Sequence, residues 1–353
     1  MKNLIVPIAG KSTRFPNTRP KWMLTHPKSG LFMALESIKG INLDFFNKIY
    51  FIALKEHETE YKFTKGFELE LSKLNLLDKT TIIYLDEPTS SQSETVFEGI
   101  TQEKIEGFIM IKDSDNYFKC NLDSTENQVC YFDLNDTSNI NPTNKSYISI
   151  NSKNIITNIV EKKIISSTFS IGGYCFNSTR DFILAFNNLK DFANECYISN
   201  IIFDLILKQK VFKGKKCSDY SDWGTLEDWN NYKAQYNTLF IDIDGTLIEN
   251  TSYKFPPYTG NGKPLVKNIK WLRKLYNEDK TQIVLTTSRP QESMQETIVE
   301  LYEKEIPYDK LIMGLNHSKR IIINDYANSN PYPSCDSINI KRNSDSLNTY
   351  KIN

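Results

Sequence analysis

Very little in this chain advertises a charged partner or a bound metal. Lys plus Arg and Asp plus Glu both total 43, so no net field exists to collect nucleic acid or an anionic membrane, and neither is expected as a partner. Histidine is nearly absent. His26, His57 and His317 are the only three; the first two stand far from any acid-rich motif, which argues against a histidine-built metal site and for packing or surface roles. The six cysteines, Cys120, Cys130, Cys175, Cys196, Cys217 and Cys335, contain no CxxC pair. Such scatter speaks against a zinc site or disulfide framework and suits isolated thiols in a reducing compartment. Long apolar runs are missing too: nothing approaches the roughly 18 residues of a membrane span, and MKNLIVPIAG offers too brief a run for a signal-peptide core. A soluble, cytoplasmic protein is the expectation.

What is present is a strand and helix alternation, repeated twice. At 353 residues the chain exceeds the roughly 250 to 300 at which single cores stop growing, so two domains are expected. LIVPIA, KIYFIAL, TIIYL and FIMIK are β-branched or aromatic runs separated by helix-like segments, which predicts a parallel α/β sheet. Between about 127 and 177 the strands crowd together (VCYFDL, YISIN, IITNIV, FSIGGYCF), predicting inserted hairpins joined by the polar loop DLNDTSNINPTNKS. Helices return at TRDFILAFNNL and YISNIIFDLILKQ, where apolar residues recur every three or four positions. A second series then opens with TLFIDID and continues through PLVKNIKWLRKLYNE (helix), TQIVLTT (strand), QESMQETIVELYEKE (helix), RIIIND (strand) and SINIK (strand). The boundary is placed at 235/236.

In FIDIDGT the two aspartates are spaced by one residue and so point the same way from an extended chain, off the carboxyl end of a strand where α/β folds keep their sites. Gly245 and Thr246 permit a tight turn after them. Paired carboxylates there can hold a divalent cation, and one can attack phosphorus while the other handles protons. The segment resembles the first motif of the haloacid dehalogenase (HAD) superfamily of phosphatases. The resemblance implies Asp242 as nucleophile and Asp244 as general acid/base, both at Mg²⁺, Asp244 through its backbone carbonyl. It further implies Thr287, or its neighbour Thr286, as phosphoryl holder, and Lys319, with Lys310 second, as the balancing lysine. Asp325 of IIINDY would be the last metal ligand, with Asp336 a looser supporting candidate. His317 is read either as lining this mouth or as a solvated loop residue. Only a flap and one helix fit between Asp242 and Thr287, so the large cap of that family is expected to be missing.

The run IAGKSTRFPNTRPK contains GKST, but a Walker A loop needs glycine at position 5, where Ile5 stands. A Gly-containing turn after the first strand can instead wrap a triphosphate with backbone N–H groups while Arg14 and Lys21 neutralise charge. This segment resembles the GxGTRxxxxxxPK signature of the nucleotidyltransferases that make nucleotide sugars. Gly10, Thr13, Arg14, Pro20 and Lys21 follow the pattern, with Ser12 where glycine is usual and a compressed spacing to Pro20 and Lys21, and the resemblance implies Ala9, just ahead of it, as a further nucleotide contact.

Further stretches extend the resemblance. PTSSQSETV is similar to the base-recognition turn, implying contacts from Gln92 and from backbone around Ser91 and Glu94. Asp115 in MIKDSDNYF, or alternatively Asp113, would bind Mg²⁺ on the α-phosphate, with Asp222 of SDWGT as second metal ligand. Lys162 in IVEKK, Gly172 in FSIGGY and Glu195 in NECYIS would meet the acceptor, Glu195 being equally well placed as a helix cap.

The expected fold is therefore α/β in two domains. Residues 1–235 form a Rossmann-like, GT-A-like nucleotidyltransferase domain with inserted β-hairpins, and residues 236–353 a capless HAD-like Rossmannoid domain. The ligands implied are a nucleoside triphosphate, a small phosphorylated sugar or polyol, and Mg²⁺. Assembly state is left open, a homo-oligomer included. A nucleotide-binding sensor or scaffold without turnover in the first domain is the rival expectation, motivated by Ser12.

Overall fold

The structure, a computed structural model, describes residues 1–136, 141–191, 196–250, 262–325 and 334–351. Contacts between residues divide the chain into two units, Met1–Trp229 and Asn230–Asn353.

In the first unit β1 (Lys2–Pro7) opens the chain as a run buried along its middle, as expected of a strand covered on both faces. Helix α1 (Met33–Ile38), β2 (Lys48–Leu54), α2 (Lys55–Tyr61), α3 (Thr64–Lys73), β3 (Thr80–Leu85), α4 (Gln92–Gln102) and β4 (Phe108–Lys112) follow. β1 pairs in parallel with both β2 and β4, and β2 with β3. The strand order β3-β2-β1-β4 reverses at β1, so the chain leaves β1 and β4 toward different sides. A crevice opens there, outside the carboxyl ends of those strands.

Alternation supplies both cores. Leu4, Val6, Phe51 and Met110 pack with Trp22 and Phe67 in one cluster. Ile5, Ile52, Ile109 and Ile111 pack with Val96 and Ile202 in another.

Beyond β4 come β5 (Asn116–Lys119), β6 (Gln128–Asp133), β7 (Ser146–Ile150), β8 (Ile156–Glu161), β9 (Thr168–Phe176), helices α5 (Thr179–Leu189) and α6 (Ile198–Leu207), then β10 (Lys213–Lys216) and β11 (Ser218–Asp222). β9 runs antiparallel to β4 and β6, and β7 and β8 form the expected hairpin. β5 and β11 form a separate two-stranded antiparallel ribbon. The division between the units falls within α7 (Leu226–Lys233).

The second unit is a smaller parallel sheet: β12 (Asn237–Asp242), β13 (Thr281–Thr286) and β14 (Lys310–Ile312), in that order. Helices α8 (Val266–Asn277) and α9 (Met294–Glu303) supply the intervening crossovers. Ile241, Ile243, Leu272, Ile283, Leu285 and Leu301 form its core. RIIIND and SINIK, expected as strands, run without ladder pairing among the described residues. Ile321, Ile322 and Ile323 are 74, 56 and 92 % exposed. β-Branched composition favours a strand only where a paired neighbour and a buried face exist, and these residues have neither. No helix of the described residues is long and apolar enough to cross a membrane.

Candidate functional site

The loop after β1 brings the first charges to the crevice. Ala9 is buried, whereas Gly10 is exposed, and a Cβ added to Gly10 would meet nothing within 4 Å. Ser12 adopts φ +50°, the left-handed region that suits glycine, which accounts for glycine being usual in the signature it interrupts. Its hydroxyl offsets that cost by accepting the Lys21 N–H at 2.9 Å, tying the two ends of the loop together. Thr13 and Arg14 remain exposed. The Lys21 ammonium ion-pairs with Asp115, and the Arg14 guanidinium stands 3.7 Å from the same carboxylate oxygen.

Two acids follow β4, and their surroundings separate them. Asp113 accepts a 2.6 Å hydrogen bond from Gln92, and its backbone N–H donates to Gly172 at 2.8 Å. Burial, then the adjacent Asp115 charge, raises its proton affinity. Burial works against charge on Asp115 as well, but Lys21, Arg14 and Lys112 override it and hold that carboxyl well below the usual range. Asp115 is thus the more acidic of the two.

The β5/β11 ribbon carries the second carboxylate to it. Asp222 is registered against Asn116, and the Trp223 N–H donates to the Asp115 carbonyl at 2.9 Å. A Cβ on Gly224 would lie 3.1 Å from Asp222 Oδ1, 3.6 Å from Asp115 Oδ2 and 3.6 Å from an Arg14 nitrogen. Both acids and the arginine therefore face one point, and only glycine leaves it open. Asp222 is ion-paired with Lys145, a residue the sequence hid inside a polar loop.

Lys112 is the other residue missed. It is fully buried at the end of β4 and donates to the Asp113 carbonyl at 2.6 Å and to the Asn116 carbonyl and side-chain oxygen at 3.0 and 2.6 Å. Burial pulls its ammonium down to about 8. A lysine ending a strand reads from sequence as a surface residue, so nothing signalled this anchor.

The remaining expected contacts are partly taken up internally. Ser91 caps α4 by accepting the Glu94 N–H at 3.2 Å, and the Glu94 side chain accepts the N–H and hydroxyl of Ser90, just ahead of the cap. Those side chains stabilise the turn, leaving its backbone groups as the base-facing candidates. Lys162 donates to the Tyr197 hydroxyl at 2.7 Å with its ammonium 4.6 Å from that ring. Gly172 sits at φ +77°, where a Cβ would strike Asp113 Oδ2 at 2.2 Å. Its tight approach is therefore to Asp113. Glu195 lies outside the described residues. His26 and His57 are buried, and His317 is exposed.

In the second unit Asp242 ends β12 opposite Thr286 of β13. Thr287 donates to Asp244 at 3.1 Å. Arg289, absent from the sequence reading, grips both Asp244 oxygens from Nε (3.3 and 3.0 Å) and adds an Nη2 bond at 2.8 Å, while Nη1 meets buried Glu300 at 2.7 Å. Arg320, the neighbour of Lys319, reaches Asp242 at 3.0 Å, and Lys319 itself is exposed. Asp325 is exposed as well. Among the described residues the only Cys, His, Asp or Glu ligand atoms found mutually within 4.8 Å in a set of three belong to Cys120, Cys130 and Cys217. Asp325, expected to join Asp242 and Asp244 at the metal, lies on a segment without ladder pairing, while Arg320 and Arg289 contact the side chains of Asp242 and Asp244. The flap base survives as an Ile248–Pro264 bridge, with residues 251–261 outside the described set.

No family model matches the chain, and no curated protein matches it. Solved structures do. A nucleoside-diphosphate-sugar pyrophosphorylase from Vibrio cholerae is 20 % identical with a TM-score of 0.55, covering 65 % of this chain and 99 % of its own. An inositol-1-phosphate CTP transferase from T. maritima is 14 % identical with a TM-score of 0.51, covering 66 and 94 %. A UDP-glucose pyrophosphorylase complexed with UDP-glucose is 15 % identical with a TM-score of 0.52, covering 66 and 97 %. At these identities the likeness establishes the fold: a mixed α/β architecture with a Rossmann-like parallel core.

Proposed function

We propose that the first unit transfers a nucleotidyl group from a nucleoside triphosphate, CTP or UTP favoured, to a sugar or polyol phosphate with release of pyrophosphate. The observation that carries this is the convergence of Asp115, Asp222 and Arg14 on one open point at the switch between β1 and β4, with Lys21 holding Asp115. The fold neighbours, whose names describe sugar nucleotidyl chemistry, support the same reading.

Two carboxylates facing one point form a hard-oxygen donor set suited to Mg²⁺, which takes one or two carboxylates and completes its shell from phosphates and water. Asp115 and Asp222 would hold it, and when bound it would neutralise charge on the triphosphate. The chain's own residues do the rest. Backbone groups after β1 with Arg14 and Lys21 orient the triphosphate, while Lys162 and Lys145 offer cations for the acceptor. An acceptor phosphate oxygen attacks the α-phosphorus, the bond to the bridging oxygen breaks, and pyrophosphate leaves with that electron pair. Positioning and charge neutralisation suffice for such a transfer.

For the second unit the proposal is HAD-type phosphomonoester hydrolysis of a related intermediate, both steps supplying surface-polysaccharide precursors. Asp242 and Thr287 at the carboxyl ends of adjacent parallel strands favour it. The Arg320 contact must open for Asp242 to act.

Pyrophosphate release measured across CTP, UTP, GTP, dTTP and ATP with mixed sugar and polyol phosphates tests the first reading. Turnover with one nucleotide and acceptor class is expected; binding without release for every pair would leave a nucleotide sensor instead. Phosphate release from the same panel tests the second. Identical substrate preference in both reactions would overturn the pairing, since the hydrolysis would then destroy the acceptor.

A further inference from the structure

The sequence spacing of the cysteines argued against a metal site, yet the fold gathers three of them. Cys120 follows β5, Cys130 lies in β6, and Cys217 joins β10 to β11. All three are buried, and their sulfurs lie mutually within 4.8 Å, with Cys120 Sγ and Cys130 Sγ 3.9 Å apart. Backbone bonds fix each from a different direction. The Cys120 N–H donates to Gly40 at 2.9 Å, and the Cys217 N–H to Tyr131, beside Cys130, at 3.1 Å. Gly173 makes room: a Cβ there would meet Cys130 Sγ at 2.8 Å.

A soft d¹⁰ ion bonds thiolate sulfur at about 2.3 Å, which sets sulfurs about 3.8 Å apart around a tetrahedral ion and about 4.0 Å apart around a trigonal one. The Cys120–Cys130 separation of 3.9 Å falls in that interval, and Cys217 Sγ lies within 4.8 Å of both. Oxygen-seeking ions such as Mg²⁺ are poor matches for such a donor set, whereas Zn²⁺ and Cu⁺ are good ones. Cys120 and Cys217 are each 6 % exposed, so the cluster lies just beneath the surface, on the side where Lys215 is in reach of solvent.

We propose that Cys120, Cys130 and Cys217 form a three-thiolate site for a soft d¹⁰ cation, and that the ion ties the β5/β11 ribbon to β6. Binding converts thiols to thiolates and releases their protons to solvent.

The location has a consequence for the crevice. β5 and β11 carry Asn116 and Asp222 at their far ends, roughly 13 Å along the ribbon from Cys120 at about 3.3 Å per residue. An ion at the cysteine end fixes the register of the ribbon that presents Asp222. The site is chemically independent of the nucleotidyl reading and stands or falls without it.

The test titrates reduced, metal-free full-length protein with Cd²⁺, following thiolate-to-cadmium charge-transfer absorbance and proton release. Saturation at one ion per chain is expected, with release of about two to three protons. The band persists in Cys335→Ser and Cys196→Ser, and falls at least tenfold in affinity in Cys120→Ser and Cys217→Ser. Should those last two variants fail to fold, the wild-type stoichiometry and the two control variants still decide the matter. Absence of a saturable band, a band abolished by Cys335→Ser, or a Cys120–Cys130 disulfide in the freshly isolated chain would overturn the proposal.

Discussion

Replacing Asp115 by asparagine keeps the shape of the side chain and removes its charge, so it separates what the carboxylate does for stability from what it does for chemistry. The side chain is 15 % exposed and its principal partner, Lys21, 18 %. Both charges are mostly out of water. Because the cations around Asp115 depress its folded-state proton affinity below that of the unfolded chain, its stabilisation is complete above the unfolded value near 3.9 and is lost as pH falls through the folded one. At neutral pH Asp115→Asn leaves Lys21, Arg14 and Lys112 without their shared counter-charge. Breaking a largely buried pair this way costs about 2–4 kcal/mol, which for a unit of this size lowers its melting temperature by roughly 4–16 °C. In acid the gap should narrow as the wild-type carboxyl takes up its proton. Nucleotidyl transfer per folded molecule should fall by on the order of 10²–10³. Calorimetry across pH and a pyrophosphate-release assay measure the two effects. A variant that melts with the wild type at every pH, or that retains full turnover, refutes the role given to Asp115.

Four further outcomes follow from particular contacts. Gly172→Ala, at φ +77° and with Asp113 Oδ2 2.2 Å from the new methyl, should destabilise the first unit by about 2–5 kcal/mol, read by chemical denaturation. Ser12→Ala should lose about 1 kcal/mol with the Lys21 N–H bond, whereas Ser12→Gly recovers much of it by relieving φ +50°; the reverse order of melting temperatures would contradict this. Between pH 8 and about 10.4 the unfolded chain keeps a proton that native Lys112 has released, so wild-type stability should rise with pH by up to about 3 kcal/mol relative to Lys112→Met, measured by urea titration. Arg289→Met leaves Glu300 with Lys304 and Asp244 with Thr287 but without the shared guanidinium, and should cost the second unit about 3 kcal/mol, visible as an earlier melting transition.

Much of the first unit was legible because its strands are written as continuous apolar runs. FIMIK is buried at every position, and so its pattern leaves little choice but a central strand. Asp115 and Asp222 were singled out from short motifs, and their proximity was expected only through the family resemblance, since a ribbon pairing joins segments about a hundred residues apart. Lys145 and Lys112 carried no local signal: their meaning lies in which carboxylate and carbonyls the fold brings to them. The cysteine cluster escaped for the same reason. In the second unit IIIND shows the limit of composition, because an apolar β-branched run becomes a strand only when an edge is there to receive it. Arg289 sat two residues beyond the threonine singled out, and only the structure shows that it clamps Asp244.

The central claim is that the crevice beyond β1 and β4 holds a triphosphate and a divalent ion between Asp115 and Asp222. Its most direct measurement is the anomalous signal from a crystal soaked with Mn²⁺ and a non-hydrolysable nucleoside triphosphate. One Mn²⁺ peak bridging the two carboxylates, with the phosphates against Arg14 and Lys21, is the expected result. A nucleotide bound elsewhere, or Asp115 still paired with Lys21 and no metal peak beside Asp222, would contradict it.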